Sequence, residues 1–420
     1  MTPVERSHNR FPISPCIAGA FAPAVVAIIF LALFALPATA QTLTVLHQFT
    51  AGGDGRFPSA GVIADPNGSL YGVTRLGGSF GYGAVFGLDA NDKETVLHSF
   101  WSGDGGWPEA PLIRDRMGNL YGTTFYGGSP GGGGCVHGCG TVFKLDPQGL
   151  LSVLHAFSGG ADGGNPMGGL IRDGPGNLYG TASTGGDSKL GFICGVVFKI
   201  DKKGNEKVLH AFRDFPDGCQ PVGALTRDKD GNLYGATEWG GASKWGSVFK
   251  IDPRGIESVL YSFTNQADGG LPMGPLVLDA AGNLYGTANI GGGPMYGVVF
   301  KLDKAGKETV LYTFKDSPDG SQPAGGLVRD NVGNLYGATW FGGSYTQCDG
   351  SLGCGTLFEV DARGNESVLY NFSGKEDGAF PNGPLIRDNA GAFYGSTSEG
   401  GNSSCWSFGG GCGVVFKFVP

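Results

Sequence analysis

The sequence predicts an all-β chain folded as a seven-bladed β-propeller of four-stranded antiparallel blades. Three observations predict it. A marker of the form V-L-H-x-F, or a close relative, begins at Val45, Val96, Val153, Val208, Val259, Val310 and Val368, so one unit recurs seven times. Each unit holds four short segments rich in Val, Leu, Phe, Tyr and Thr, separated by turn residues. The ends are also complementary. After residue 40 the chain opens on TLTVLHQF, the fourth segment of a unit, and it finishes on GCGVVFKFVP, the third. Pairing residues 42–49 with 412–418 would close the ring with that N-terminal strand and remove two exposed edges. A solenoid would want capping units instead.

The first forty residues stand outside the repeat. Arg6 and Arg10 precede the apolar run AVVAIIFLALFAL, which is followed by Ala38 and Ala40 at small-residue cleavage positions. Residues 1–40 therefore read as a signal peptide cut before Gln41. The run is too short for a membrane span, which needs about 20 residues. Residues 41–420 read as one propeller domain. In its second full unit the four segments are EAPLIRD, GNLYGTT, GTVFKLD and LSVLHAF. Asp115 to Gly118 and Asp146 to Gly149 carry the D-x-x-G pattern of tight turns. The other two connections are longer, one holding Asp-Gly-x-x-Pro and the other Gly-Gly. An up-and-down blade puts both tight turns on one face and both long loops on the opposite, or top, face.

Composition narrows the function classes. The 420 residues carry a net charge of -8, which argues against nucleic acid and anionic membrane surfaces as partners. The 80 glycines recur in register with apolar alternation, so they read as turns rather than disorder. Eight cysteines follow residue 40, an even number in an exported chain, and disulfides are expected. Cys135/Cys139, Cys348/Cys354 and Cys405/Cys412 each bracket one Gly-Gly loop. The remaining two, Cys194 and Cys219, lie in adjacent loops of the same face and are paired with each other. The stretch CVHGC at Cys135 to Cys139 offers zinc ligation as the minor alternative.

All six tryptophans fall in top-face loops or at their edges. Loops on a rigid scaffold commonly carry function, and aromatic faces suit flat or sugar-ring ligands. The ligand-binding candidates are Trp107, Trp239, Trp245, Trp340, Trp406 and Tyr126, with the non-repeating carboxylates Glu238 and Glu399. Glu109 and Glu376 share that face. The plain alternative is that these aromatics pack between loops. Recurring residues read as scaffold. The Asp of each Asp-Gly pair (Asp54, Asp104, Asp162, Asp217, Asp268, Asp319, Asp377) suits an Asx-type turn. The column His47, His98, His155, His210, Tyr261, Tyr312, Tyr370 suits a half-buried polar position with one hydrogen bond. DKDGN at 228–232 lacks EF-hand spacing. No nucleophile elbow, zincin motif or P-loop occurs. No catalytic residue, metal or cofactor is assigned.

The repeat GNLYGTT-x-x-GG … GTVFKLD-x-x-G-x-E-x-VLH-x-F resembles the GloVer tandem-repeat family, the choice-of-anchor exported bacterial proteins, over residues 45–420. The resemblance implies an exported bacterial propeller and supplies no catalytic residues. Its members often end in a surface-sorting segment, which this chain does not show after Pro420, so secretion or periplasmic residence is expected rather than anchoring. The expected function is non-enzymatic binding of a glycan or cell-surface protein. The alternatives are a polysaccharide lyase or hydrolase, or a structural envelope protein.

Overall fold

The computed structural model describes residues 41–420 except 59, 129–134, 187–193, 294, 346–347, 349–351, 404 and 406–409. The proposed signal peptide and Trp406 lie outside the described residues. Residues Ala40–Pro420 form one compact unit. It is a seven-bladed propeller of separate antiparallel sheets. In the second blade the strands Ile113–Arg114, Leu120–Thr124, Thr141–Leu145 and Leu151–Ala156 pair in that order. Among the described residues no helix is long and apolar enough to cross a membrane.

The innermost strand is shorter than the sequence implies. EAPLIRD contributes only Ile113–Arg114 to the ladder. Pro111 has no N–H to give, and the segment before the strand runs where neighbouring blades crowd the axis. The crowding is main chain on main chain. A Cβ on Gly383 would stand 2.2 Å from Gly61 N, and one on Gly325 would stand 2.4 Å from Gly383 O. Only glycine allows that approach.

Ring closure uses the two chain ends. Thr42–Gln48 pairs with Val414–Val419, with Thr42 opposite Val419 and Gln48 opposite Val414. The register slips by one residue between Val45 and His47, and the outer strand of every other blade carries the same bulge. A bulge strengthens twist, which swings each outermost strand round the rim.

The core is a belt of phenylalanines between blades. The Phe that ends each V-L-H-x-F marker is fully buried and meets the Phe of V-F or L-F in the next blade edge to face. Phe49–Phe86, Phe100–Phe143, Phe157–Phe198, Phe212–Phe249, Phe263–Phe300, Phe314–Phe358 and Phe372–Phe416 have centroids 5.0–5.4 Å apart. The pair Phe49–Phe86 ties the N-terminal strand to the first blade.

The bottom turns explain the repeated D-x-x-G-N-x-Y. Asp115 accepts the backbone amides of Met117 and Asn119, the Asn119 amide at 2.8 Å and the Tyr121 hydroxyl at 3.1 Å. Burial works against the charge of Asp115, but these hydrogen bonds outweigh it and hold its carboxyl below the ordinary range. Asp228 makes the same contacts with Asp230, Asn232 and Tyr234, so DKDGN is a turn cap.

The recurring Asp of the top loops and the His/Tyr column of the outer strands turn out to be partners. Asp268 accepts Thr264 N at 2.8 Å and the Tyr261 hydroxyl at 3.0 Å. Asp104 takes Trp101 N and sits 2.9 Å from His98 Nε2. Each Asp thus closes its own loop, and in five blades it also bonds the His or Tyr of the strand before it, while His47 and His155 stand 3.7 and 3.3 Å from theirs. The four cysteine pairs Cys135–Cys139, Cys194–Cys219, Cys348–Cys354 and Cys405–Cys412 are disulfide-bonded. Cys194–Cys219 joins the third blade to the fourth.

Candidate functional site

One backbone feature organises the top face. In every blade the residue before the loop proline has a left-handed backbone. Phe57, Trp107, Asn165, Gln220, Leu271, Gln322 and Phe380 have φ between 52° and 59°. A residue before proline prefers extended backbone, and a non-glycine in the left-handed region costs on the order of 1–3 kcal/mol. The conformation persists because it forms a clip between blades. Each of these amides donates to a carbonyl of the preceding blade at 2.6–3.0 Å, as in Trp107 N to Tyr82 O and Phe380 N to Cys354 O. The main chain is the same seven times, while the side chain changes.

Just beyond each clip the chain reaches the axis. A cavity of about 470 Å³ opens there, lined by residues from all seven blades. Its wall is two-sided. Met167, Val222, Met273 and Ala324 make an apolar side from the third to sixth blades. Arg75, Glu109, Asn382, Ser398 and Glu399 make a polar side, with Trp340 beside it.

The polar wall is internally organised. Arg75 Nε lies 2.7 Å from Glu109 Oε1, an ionic contact off hydrogen-bond alignment. The Arg75 guanidinium sits over the Trp107 ring at 4.6 Å, and Trp107 meets Tyr126 edge to face at 4.9 Å. Burial pushes the Glu109 carboxyl above the usual range, and the charge of Arg75 only partly opposes this. Asn382 Oδ1 is buried with no hydrogen-bonding partner in the protein.

The candidates separate into groups. Trp340 and Glu399 line the cavity. Trp340 also stacks on Phe341, with centroids 5.3 Å apart. Trp107 and Tyr126 stand behind the wall and support Arg75. Trp239 and Trp245 pair at 6.0 Å and do not line the cavity. Glu238 does not line it either; burial raises its carboxyl, and a hydrogen bond from Trp239 opposes this. Arg75, Met167, Met273 and Asn382 were missed by sequence reasoning. They carry no motif, but stacking the seven repeats column by column sets Met167, Met273 and Asn382 in one varied column. The position after the loop proline reads Ser59, Glu109, Met167, Val222, Met273, Ala324 and Asn382, varied beside an unvarying Pro.

A family model described as the Gloeobacter/Verrucomicrobia repeat matches residues 32–194 and 192–409. The chain belongs to this repeat family. Among curated proteins none matches this Gloeobacter/Verrucomicrobia repeat chain in sequence. Among solved structures it is similar to the extracellular domain of a protein described as a hybrid two-component system from B. thetaiotaomicron. The TM-score is 0.56 at 13% identity, covering 90% of this chain and 41% of that one. The repeat protein thus spans well under half of that relative. An extracellular domain described as part of a one-component system from the same organism gives a TM-score of 0.49 at 10% identity, covering 85% and 38%. A Xanthomonas campestris gluconolactonase gives 0.41 at 14% identity, covering 72% and 87%. At these identities the likeness concerns fold alone.

Proposed function

We propose that this chain is an exported, non-enzymatic binding propeller that takes a carbohydrate in the axial cavity of its top face. The single observation that carries the reading is the two-sided cavity. Its volume falls within the range of small-molecule sites, roughly 300–1,000 Å³. A sugar ring presents C–H faces and hydroxyl edges, which match the Met167–Met273 side and the Arg75, Asn382 and Glu399 side. Trp340 offers a ring on which a sugar can stack. Residues 1–40 act as the signal peptide, and the disulfides fit an oxidising compartment, either secreted or periplasmic.

Tryptophan fluorescence of the purified chain, titrated with a panel of soluble glycans, tests this. A saturable shift is expected, weakened at least tenfold in Trp340→Ala, about 1.4 kcal/mol. Flat titrations across the panel, or a shift untouched by Trp340→Ala, would reject the cavity as a glycan site.

The polysaccharide-active alternative rests on one observation: Glu109 is a buried carboxyl raised above its ordinary range in the same cavity as Glu399. A carboxyl of that kind suits general acid work. Product release from polysaccharide that disappears in Glu109→Gln would favour this reading over binding alone.

A further inference from the structure

We propose that His210, Asp217 and Glu257 bind one divalent transition-metal ion of the zinc type at the rim between the third and fourth blades. The three come from three elements. His210 lies near the end of the third blade's outer strand, Glu206–Ala211. Asp217 lies in the loop that crosses to the fourth blade. Glu257 opens the fourth blade's outer strand, Glu257–Ser262. The twist of the outer strands brings the end of one beside the start of the next. The candidate ligand atoms, one per residue, all lie within 4.8 Å of one another.

The chemistry of the set favours a cation. His210 Nε2 stands 2.9 Å from Asp217 Oδ2. Asp217 is buried, and its other oxygen already accepts Arg213 N at 3.2 Å. Glu257 Oε1 is buried with no hydrogen-bonding partner in the protein. Two carboxylates meet one imidazole at a half-buried rim, and burying a carboxylate without a partner is expensive. A divalent ion would balance both carboxylates and accept the imidazole. Zinc takes His nitrogen and carboxylate oxygen together, with a water completing four ligands. Calcium and magnesium prefer oxygen sets, and an imidazole suits neither.

The other blades act as internal comparisons. At three later rims Tyr261, Tyr312 and Tyr370 replace the histidine, and each phenol donates to its Asp. At the first-to-second blade rim His98 and Asp104 are present, but Leu151 occupies the register position of the Glu. At the rims of His47 and His155 the imidazole is 3.7 and 3.3 Å from its Asp, a looser set than at His210. Only one junction therefore brings all three ligand types into close range among the described residues.

The test uses the full exported chain with its disulfides intact. The protein is stripped with chelator, equilibrated with zinc chloride, and its metal counted by mass spectrometry. About one zinc per chain is expected, together with visible absorption bands on cobalt substitution and a rise in melting temperature with zinc. Glu257→Gln, close in shape to the native residue, and His210→Ala should each weaken binding by more than the ~10–100-fold that loss of an outer-shell partner costs. His98→Ala should leave it unchanged. If His210→Ala does not fold, Glu257→Gln and the cobalt spectrum carry the test. The proposal is overturned if no zinc is retained by the folded chain. It is equally overturned if retained zinc is indifferent to Glu257→Gln, or is lost in His98→Ala.

Discussion

Replacing Phe49 by alanine should cost about 3–5 kcal/mol, as much as the same change at a Phe in the middle of the chain. Phe49 has no exposed surface, and its ring meets Phe86 of the first blade at 5.1 Å. Burial of a Phe side chain contributes roughly 1.5–3 kcal/mol. The edge-to-face contact adds about 0.5–1.5 kcal/mol. The cavity left in a belt closed on both sides accounts for the rest. Phe263 supplies the control, because it is also fully buried and meets Phe300 at 5.1 Å. Its strand, however, is held by chain connections on both sides, whereas Phe49 stands at the end of a strand whose partner is the far terminus. Urea unfolding followed by far-ultraviolet circular dichroism gives both midpoints, with the slopes checked for equality. The two losses should agree within about 1 kcal/mol if Thr42–Gln48 is a full member of the ring. A Phe49→Ala loss below about 1 kcal/mol beside a Phe263→Ala loss above 3 would refute ring closure by the N-terminal strand.

Two further outcomes are expected. Glu308 and Glu366 both rise to about 7, through burial first and then the charges of Asp268 and Asp319 respectively. Their folded values exceed the unfolded one, so each contributes stability that is fully present below pH 4.5 and is lost as pH rises through about 7. Melting temperature should therefore fall between pH 4.5 and about 7, and Glu308→Gln should flatten that fall; an equal slope in the variant would contradict it. Separately, removing Cys194–Cys219 should cost more than removing any other bridge. Its cysteines are 25 residues apart, against 4, 6 and 7 for the others. On the chain-entropy account that is about 3.5 kcal/mol against about 2. Paired Ser variants compared by denaturant midpoint would show it, and equal losses would sink the entropic ranking.

Much of this architecture can be read from the letters because the scaffold repeats them. The Asp, Gly, Asn and Tyr of D-x-x-G-N-x-Y are local, each bonding within six residues of the Asp, so their pattern survives in one dimension. The phenylalanines likewise stand at fixed offsets in every unit. The axial cavity is different. Arg75 and Glu109 meet across two blades, and Met167 and Met273 share a wall from blades further round. No spacing joins such residues, and rarity proved a partial guide. Tryptophan marks the wall at Trp340 but leads away from it at Trp239 and Trp245. The His and Asp columns each read as scaffold when taken alone. The contact with Glu257 comes from outer-strand twist, which the letters do not encode.

The clip at Phe57, Trp107, Asn165, Gln220, Leu271, Gln322 and Phe380 is fastened by main-chain bonds, and five kinds of side chain already occupy its seven positions. The backbone shape there therefore does not depend on any one side chain, although Phe380 and Asn165 are themselves buried. The ring of clips resembles a paratope in this respect, a set of addresses held rigid while their contents vary. A collection of variants randomised at those seven positions should retain the fold at a frequency that randomising the phenylalanine belt cannot approach. Selecting such a collection on new ligands would turn a repeat built for uniformity into a source of recognition diversity.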